Sequence, residues 1–284
     1  MSDDEPNPNV HKLTSLQQKS LVRLDDTKLI NRPRSVHSIN EEIWVCLKNC
    51  AIQIFDRNLK CLRTLSEKQW QFVCGVTELS DGEVALAGSG GLYHLTATGE
   101  TKTAIDKANR YNSSVMVDDK LFAYCNDPPR LIIYTMQNDR WKTHDTISLA
   151  RVVTRYDFVS LAAANGKIFA CSGSDAKKVF VLSQSGEVLQ THGKPGTGSA
   201  GELFGPELCA VDSEESFLVA DLGNDRLQVC EDSGQWSVLD LQPPVDRPLR
   251  AAVIDNKLYV SSRWGRFLAV YTTEQNGSTH SLSD

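Results

Sequence analysis

The sequence has no uninterrupted apolar run near the ~20 residues that a membrane-spanning helix requires. Its opening, Met1-Ser2-Asp3-Asp4-Glu5-Pro6, is acidic and polar, the opposite of a secretory leader. A cytoplasmic location without a membrane partner is therefore expected. There is no Cys-x-x-Cys pair among the eight cysteines, and most of them lie inside apolar runs, where a reduced thiol behaves as a small hydrophobe. Cys46 and Cys50 are four apart but lack a second pair or a nearby histidine to complete a zinc set. Histidines are few: six in all, with His11, His144, His192 and His280 in termini or outer segments and His37 and His94 on separate strands. No Gly-x-Ser-x-Gly motif occurs, and Gly88-Ser89-Gly90-Gly91 opens a strand rather than a helix, which argues against a phosphate loop. These absences predict no catalytic residues, no metal, no cofactor and no enzyme activity.

What the 284 residues do contain is a repeat. Short apolar strands recur at Ile43-Trp44-Val45, Val84-Ala85-Leu86, Leu121-Phe122-Ala123, Ile168-Phe169-Ala170, Phe217-Leu218-Val219 and Leu258-Tyr259-Val260, with starts 41, 37, 47, 49 and 41 residues apart. Eight to eleven residues after each comes a second strand, such as Ile52–Phe55 or Leu227–Cys230. β-branched and aromatic content, short length and turns such as Ser80-Asp81-Gly82-Glu83 identify strands, not helices. The period is that of a propeller blade. The expected fold is all-β: a six-bladed β-propeller of four antiparallel strands per blade over residues 12–274. Residues 1–11 and 275–284 are expected to be disordered. Leu21–Leu24 precedes the first unit without strands of its own, so it is expected to close the ring as the outer strand of the last blade, covering an exposed edge.

The fifth unit is the most explicit. Gly198-Ser199-Ala200-Gly201-Glu202-Leu203-Phe204-Gly205-Pro206 leads to Val219-Ala220-Asp221-Leu222-Gly223-Asn224-Asp225-Arg226-Leu227-Gln228-Val229. This resembles an NHL repeat, as found at the end of tripartite-motif proteins. The resemblance implies an NHL-type propeller serving as the distal, partner-binding part of such a protein, without its RING, B-box or coiled coil. Asp221, Asn224 and Arg226 are read as pins of the loop between second and third strands, with Asn224 at a positive φ. Phe72, Phe158 and Phe204 are expected to be buried between blades.

Sorting the turns by propeller face separates the charges. The hairpin face carries seventeen acids against five bases; the face of interblade turns and inner loops carries twelve bases against seven acids. Nine of those twelve bases are Arg, the cation suited to bidentate and stacked contacts. The candidate partner-binding residues are Arg32, Arg34, Trp70, Arg110, Tyr111, Arg130, Arg155, Tyr156, Arg247, Arg263, Trp264 and Arg266. They suit an acidic or extended protein segment, and the module is expected to be a monomeric, non-catalytic binder. Single-stranded RNA, stacked on aromatic and guanidinium planes, is the alternative partner. A formal charge of −6 and the lack of lysine runs weigh against RNA. A metal-dependent propeller hydrolase or lyase ranks third.

Overall fold

A computed structural model describes residues 13–16, 21–154 and 157–273; both segments expected to be disordered, 1–11 and 275–284, lie outside the described residues. The chain forms six antiparallel four-stranded sheets around a central channel. Blade 1 is built from Pro33–Ile39, Glu42–Leu47, Ala51–Phe55 and Cys61–Ser66, and blades 2 to 5 repeat that order. Their first strands are Val73–Glu78, Tyr111–Val117, Val159–Ala164 and Pro206–Val211. Blade 6 takes Pro248–Ile254, Lys257–Ser262 and Phe267–Thr273 from the end of the chain and its outer strand from Leu21–Lys28. That strand runs antiparallel to Phe267–Thr273, and its free edge is covered in part by Leu241–Gln242, parallel to it. Closure by the N-terminal segment is thus as expected, with the strand longer than Leu21–Leu24. Each first strand packs against those of the blades on either side, and the sixth returns to the first.

The burial pattern explains why this sequence cannot stop at a flat sheet. Second and third strands are buried along almost their whole length, as in Glu42–Leu47 and Ala51–Phe55. A strand turns alternate side chains to opposite faces, so a continuous apolar run needs cover on both sides. In blade 5, Phe217 and Val219 join the cluster shared with blade 4, while Leu218 and Ala220 join the one shared with blade 6. The buried hydrophobics accordingly form six clusters, one at each blade–blade junction. Leu13 and Leu16, on a short 3₁₀ turn, extend the junction of blades 5 and 6, and Leu13 N–H donates to the buried Asp212 carboxylate at 2.8 Å. Outer strands such as Cys61–Ser66 are largely exposed. All eight cysteines are unpaired thiols. No helix among the described residues is long and apolar enough to cross a membrane.

Carboxylates pin the joints between blades. Asp221 is fully buried and accepts from Arg226 Nε (3.0 Å), Asn224 Nδ2 (2.7 Å), Gln228 Nε2 (2.9 Å) and the Phe204 N–H (2.7 Å). Arg226 meanwhile donates to the carbonyls of Gly198, Ser199 and Glu202, drawing the glycine-rich interblade segment onto the loop. The positive φ of that loop belongs to Asp225 (φ 53°), not to Asn224, which ends a 3₁₀ turn instead. Replacing Asp221 by Ala removes the counter-charge of Arg226 and leaves Arg226 Nε and the Phe204 N–H without their acceptor. A loss of about 3–5 kcal/mol is expected, measured as a lowered midpoint in urea with an unchanged slope.

Candidate functional site

The interblade turns and inner loops meet at one end of the channel, where two cavities adjoin. The larger, about 460 Å³, is lined by residues of all six blades, including Arg32, Arg34, Lys48, Glu207, Arg250, Arg263 and Trp264. The second, about 400 Å³, extends over blades 2 and 3 with Phe72, Arg110 and Asp127. Arg34, Cys74, Asn112 and Phe158 belong to both, so the two form one funnel. Local backbone explains the placement. In blades 1, 2, 3 and 6 the first strand carries a bulge one residue from this end, with Arg34, Cys74, Asn112 and Leu249 as the unpaired residues. A bulge re-aims its side chain and interrupts pairing; four-fold recurrence turns it into a ring.

The larger cavity is lined by five cations against one carboxylate, Glu207. Glu207 is engaged by Arg250 at 2.8 Å. Arg34 instead contacts Cys74 Sγ (3.8 Å) and lies 5.6 Å from the Phe72 ring centroid. Of the funnel's side-chain atoms, Arg34 Nε, Asn112 Nδ2 and Arg250 Nε are buried without a hydrogen-bond partner among the described residues, all three donors; Ser35 Oγ, His94 Nε2, Trp141 Nε1 and Ser237 Oγ are likewise unpartnered elsewhere. On the rim, Trp264 is ringed by guanidiniums: Arg32 at 4.9 Å, Arg247 at 5.7 Å and Arg263 at 5.9 Å from its centroid. Such contacts contribute roughly 0.5–1 kcal/mol each at exposed sites. Lys177 stacks similarly on Phe204, at 4.5 Å.

Deeper in the channel the titratable groups are neutral. Burial, helped by the Arg250 charge, pushes His37 down to about 3, and its Nε2 accepts from the Val76 N–H at 3.4 Å. Gly75 leaves room for that ring: a Cβ there would stand 3.3 Å from it. Burial also raises the Cys74 thiol, and lifts Cys209 to about 11 and Cys46 to about 12.

Of the residues anticipated from sequence, Arg32, Arg34, Arg110, Arg263 and Trp264 line the funnel, and Arg247 flanks it on Trp264. Arg266 is exposed at φ 49° beside that rim and lines neither cavity. Arg155 and Tyr156 lie outside the described residues. Tyr111 is corrected: it is fully buried between blades 2 and 3, its hydroxyl donating to Asp106 at 2.6 Å and sharing a 2.5 Å hydrogen bond with Tyr134. Trp70 is corrected likewise, buried between blades 1 and 2 with Nε1 donating to Thr101 Oγ1. Both turns needed an apolar plug at the junction, and these rings supply it. Arg130 is spent on its own loop, donating to Asn109 Oδ1 (2.6 Å) and the Pro128 carbonyl. Conversely Phe72, Phe158 and Phe204 are not buried but about half exposed. Their neighbours Val73, Val159 and Leu203 are strand ends that take the inward position, and each phenylalanine stands just outside its strand, Phe72 at φ 46°. Asn112, Glu207 and Arg250 were missed; no motif marks them, and only their positions on first strands could have drawn attention. Among the described residues one group has metal-ligand donors close together: Asp81, Glu83 and His94, within 4.8 Å on the hairpin face. There Glu83 is already held by Lys102 at 2.7 Å, and His94 Nε2 lies 2.6 Å from the same carboxylate.

No protein-family profile matches the chain, and no curated protein is significantly similar to it. Solved structures share its fold. A Bacteroides thetaiotaomicron protein of unknown function superposes with a TM-score of 0.70 at 10% identity, over 94% of this chain and 75% of that one. A streptogramin B lyase gives 0.60 at 10% identity, covering 89% and 87%. Virginiamycin B lyase from Staphylococcus aureus gives 0.58 at 14% identity, covering 89% of each chain. At these identities the likeness is one of fold alone. It nevertheless overturns the classification of the chain as a non-enzyme. Propellers of this architecture include lyases, so missing hydrolase motifs and scattered histidines do not exclude catalysis.

His37 supplies a pH test of the channel. An unfolded imidazole titrates near 6.5, whereas the folded one holds off its proton until about 3. Stability from the neutral ring is complete above pH 6.5 and declines as pH falls toward 3. His37→Gln is expected to flatten the urea-midpoint curve across that window; an unaltered slope would show that the ring is solvated.

Proposed function

We propose that the funnel face is a recognition surface for an acidic segment of a partner protein, with the rim around Trp264 as its anchor. The observation that carries this reading is the funnel's charge: five cations and one carboxylate around a cavity, next to half-exposed aromatics. Aromatic and Arg side chains clustered in a partly desolvated depression make up the usual anchor set of protein interfaces. The NHL resemblance of blade 5 supports a binding role of the same kind. Single-stranded RNA is less favoured because the chain carries a formal charge of −6 and no lysine runs. Eight unpaired thiols support a reducing, cytoplasmic setting for a monomeric domain.

The test is binding of a glutamate-rich peptide and of a random-loop RNA pool to the full chain and to an Arg247→Glu/Trp264→Ala variant. Peptide affinity is expected to fall at least about tenfold in the variant. Equal peptide binding by the two proteins would remove the rim from the reading. Tight RNA binding that collapses with added salt would replace the protein partner by nucleic acid.

A further inference from the structure

We propose that the channel mouth below this rim contains a subsite for one carboxylate group, formed by Arg34, Asn112 and Arg250. The inference rests on the reading of the funnel as an anion-recognising face and names the group that its inner ring accepts. Three donors lining one cavity lack acceptors among the described residues, and each buried orphan costs roughly 1–3 kcal/mol. Orphans of the same polarity at one place point to an acceptor that comes from outside. Backbone geometry holds Arg34 and Asn112 there, since both are the unpaired residue of a first-strand bulge.

Charge selects the ligand. Arg250 is matched by Glu207, while no carboxylate among the described residues pairs with Arg34, so the inner ring carries one uncompensated positive charge. Besides Glu207, the carboxylate among the described residues lining the funnel is Asp127, in the adjoining cavity and with no ion pair to Arg34; His37 is neutral, and the Cys74 and Cys209 thiols stay protonated. A carboxylate brings one negative charge and two coplanar oxygens, which suit planar guanidinium and amide donors. A phosphate dianion would overshoot the charge. Phe158 and Leu249 on the wall offer apolar cover for the methylenes that carry a carboxylate. The group can arrive on a partner's Asp or Glu side chain or on a free small carboxylate.

Acetate and inorganic phosphate, titrated separately into the full chain and followed by amide NMR shifts, test this directly. Acetate is expected to bind and phosphate to bind more weakly. Arg34→Gln should weaken acetate about tenfold or more, whereas Lys120→Gln, on the hairpin face, should stay within about twofold of wild type. The Arg247→Glu/Trp264→Ala rim variant reports on peptide affinity, and Arg34→Gln on acetate affinity. Displacement of acetate by the glutamate-rich peptide identifies a side-chain source; acetate binding without displacement identifies a free carboxylate, and either result supports the subsite. Asn112→Asp gives a readout without added ligand. It places a carboxylate among the donors, so it should raise the thermal midpoint and abolish acetate binding. No acetate binding, phosphate binding more tightly than acetate, or a lowered midpoint in Asn112→Asp would overturn the proposal.

Discussion

Every blade has two apolar faces, and that constraint determines the rest of the molecule. A single such sheet would leave both faces in water, and burying one Val, Leu, Ile or Phe side chain stabilises by roughly 1.5–3 kcal/mol. Stacking sheets moves the exposed face outward without removing it; only a ring removes it. The six clusters at six junctions are that solution residue by residue, and the contact of Ala252 and Ile254 with Val36 and Ile43 is where it closes. The N-terminal strand Leu21–Lys28 makes the closure hydrogen-bonded as well as apolar, because it completes the sheet that begins at Pro248. Outer strands are largely exposed and can be polar, with only single side chains such as Leu65 and Trp141 packed against a junction.

Ring closure brings residues more than two hundred positions apart to one opening. It also creates two kinds of polar neighbourhood that are treated differently. At the joints, Asp221 and Asp106 gather donors until each carboxylate is satisfied; Asp106 is raised by burial, but hydrogen bonds from Tyr111, Asn109, Ala108 and Tyr134 outweigh that and leave it below the usual range. At the mouth, Arg34 Nε and Asn112 Nδ2 find no acceptor among the described residues. Trp141 Nε1, beside the junction of blades 2 and 3, is unmatched as well, so what sets the mouth apart is that its orphans are all donors on residues lining one cavity.

The architecture was legible because its cause is local and repeated. Apolar triplets such as Phe217-Leu218-Val219 recur at near-constant spacing, and continuous rather than alternating apolarity already implies cover on both faces. The Asp221–Arg226 pin was legible for the same reason, since both residues flank one loop. The funnel was legible only as a charge balance. Which aromatic faces out is a matter of single-residue register: Leu203 goes in, so Phe204 goes out, whereas Tyr111 and Trp70 fill junctions themselves. A charge count on turns cannot resolve that step. Asn112, Glu207 and Arg250 were invisible because they lie in different blades and acquire a relation only through the ring.

Glu207 is the residue that distinguishes selectivity from attraction. A mouth built to draw in any anion would omit it, since a carboxylate beside Arg250 lowers the local potential and competes for the guanidinium. With it present, the rim remains strongly cationic while the inner ring keeps a single unmatched charge. Polyanions are then attracted to the outside, where arginines are exposed and screened by salt. They gain little at the centre, where desolvation is greatest and a second negative charge would face Glu207. Discrimination at that depth comes from a repulsive element set next to an attractive one, and the pairing of Glu207 with Arg250 beside an unpaired Arg34 provides both.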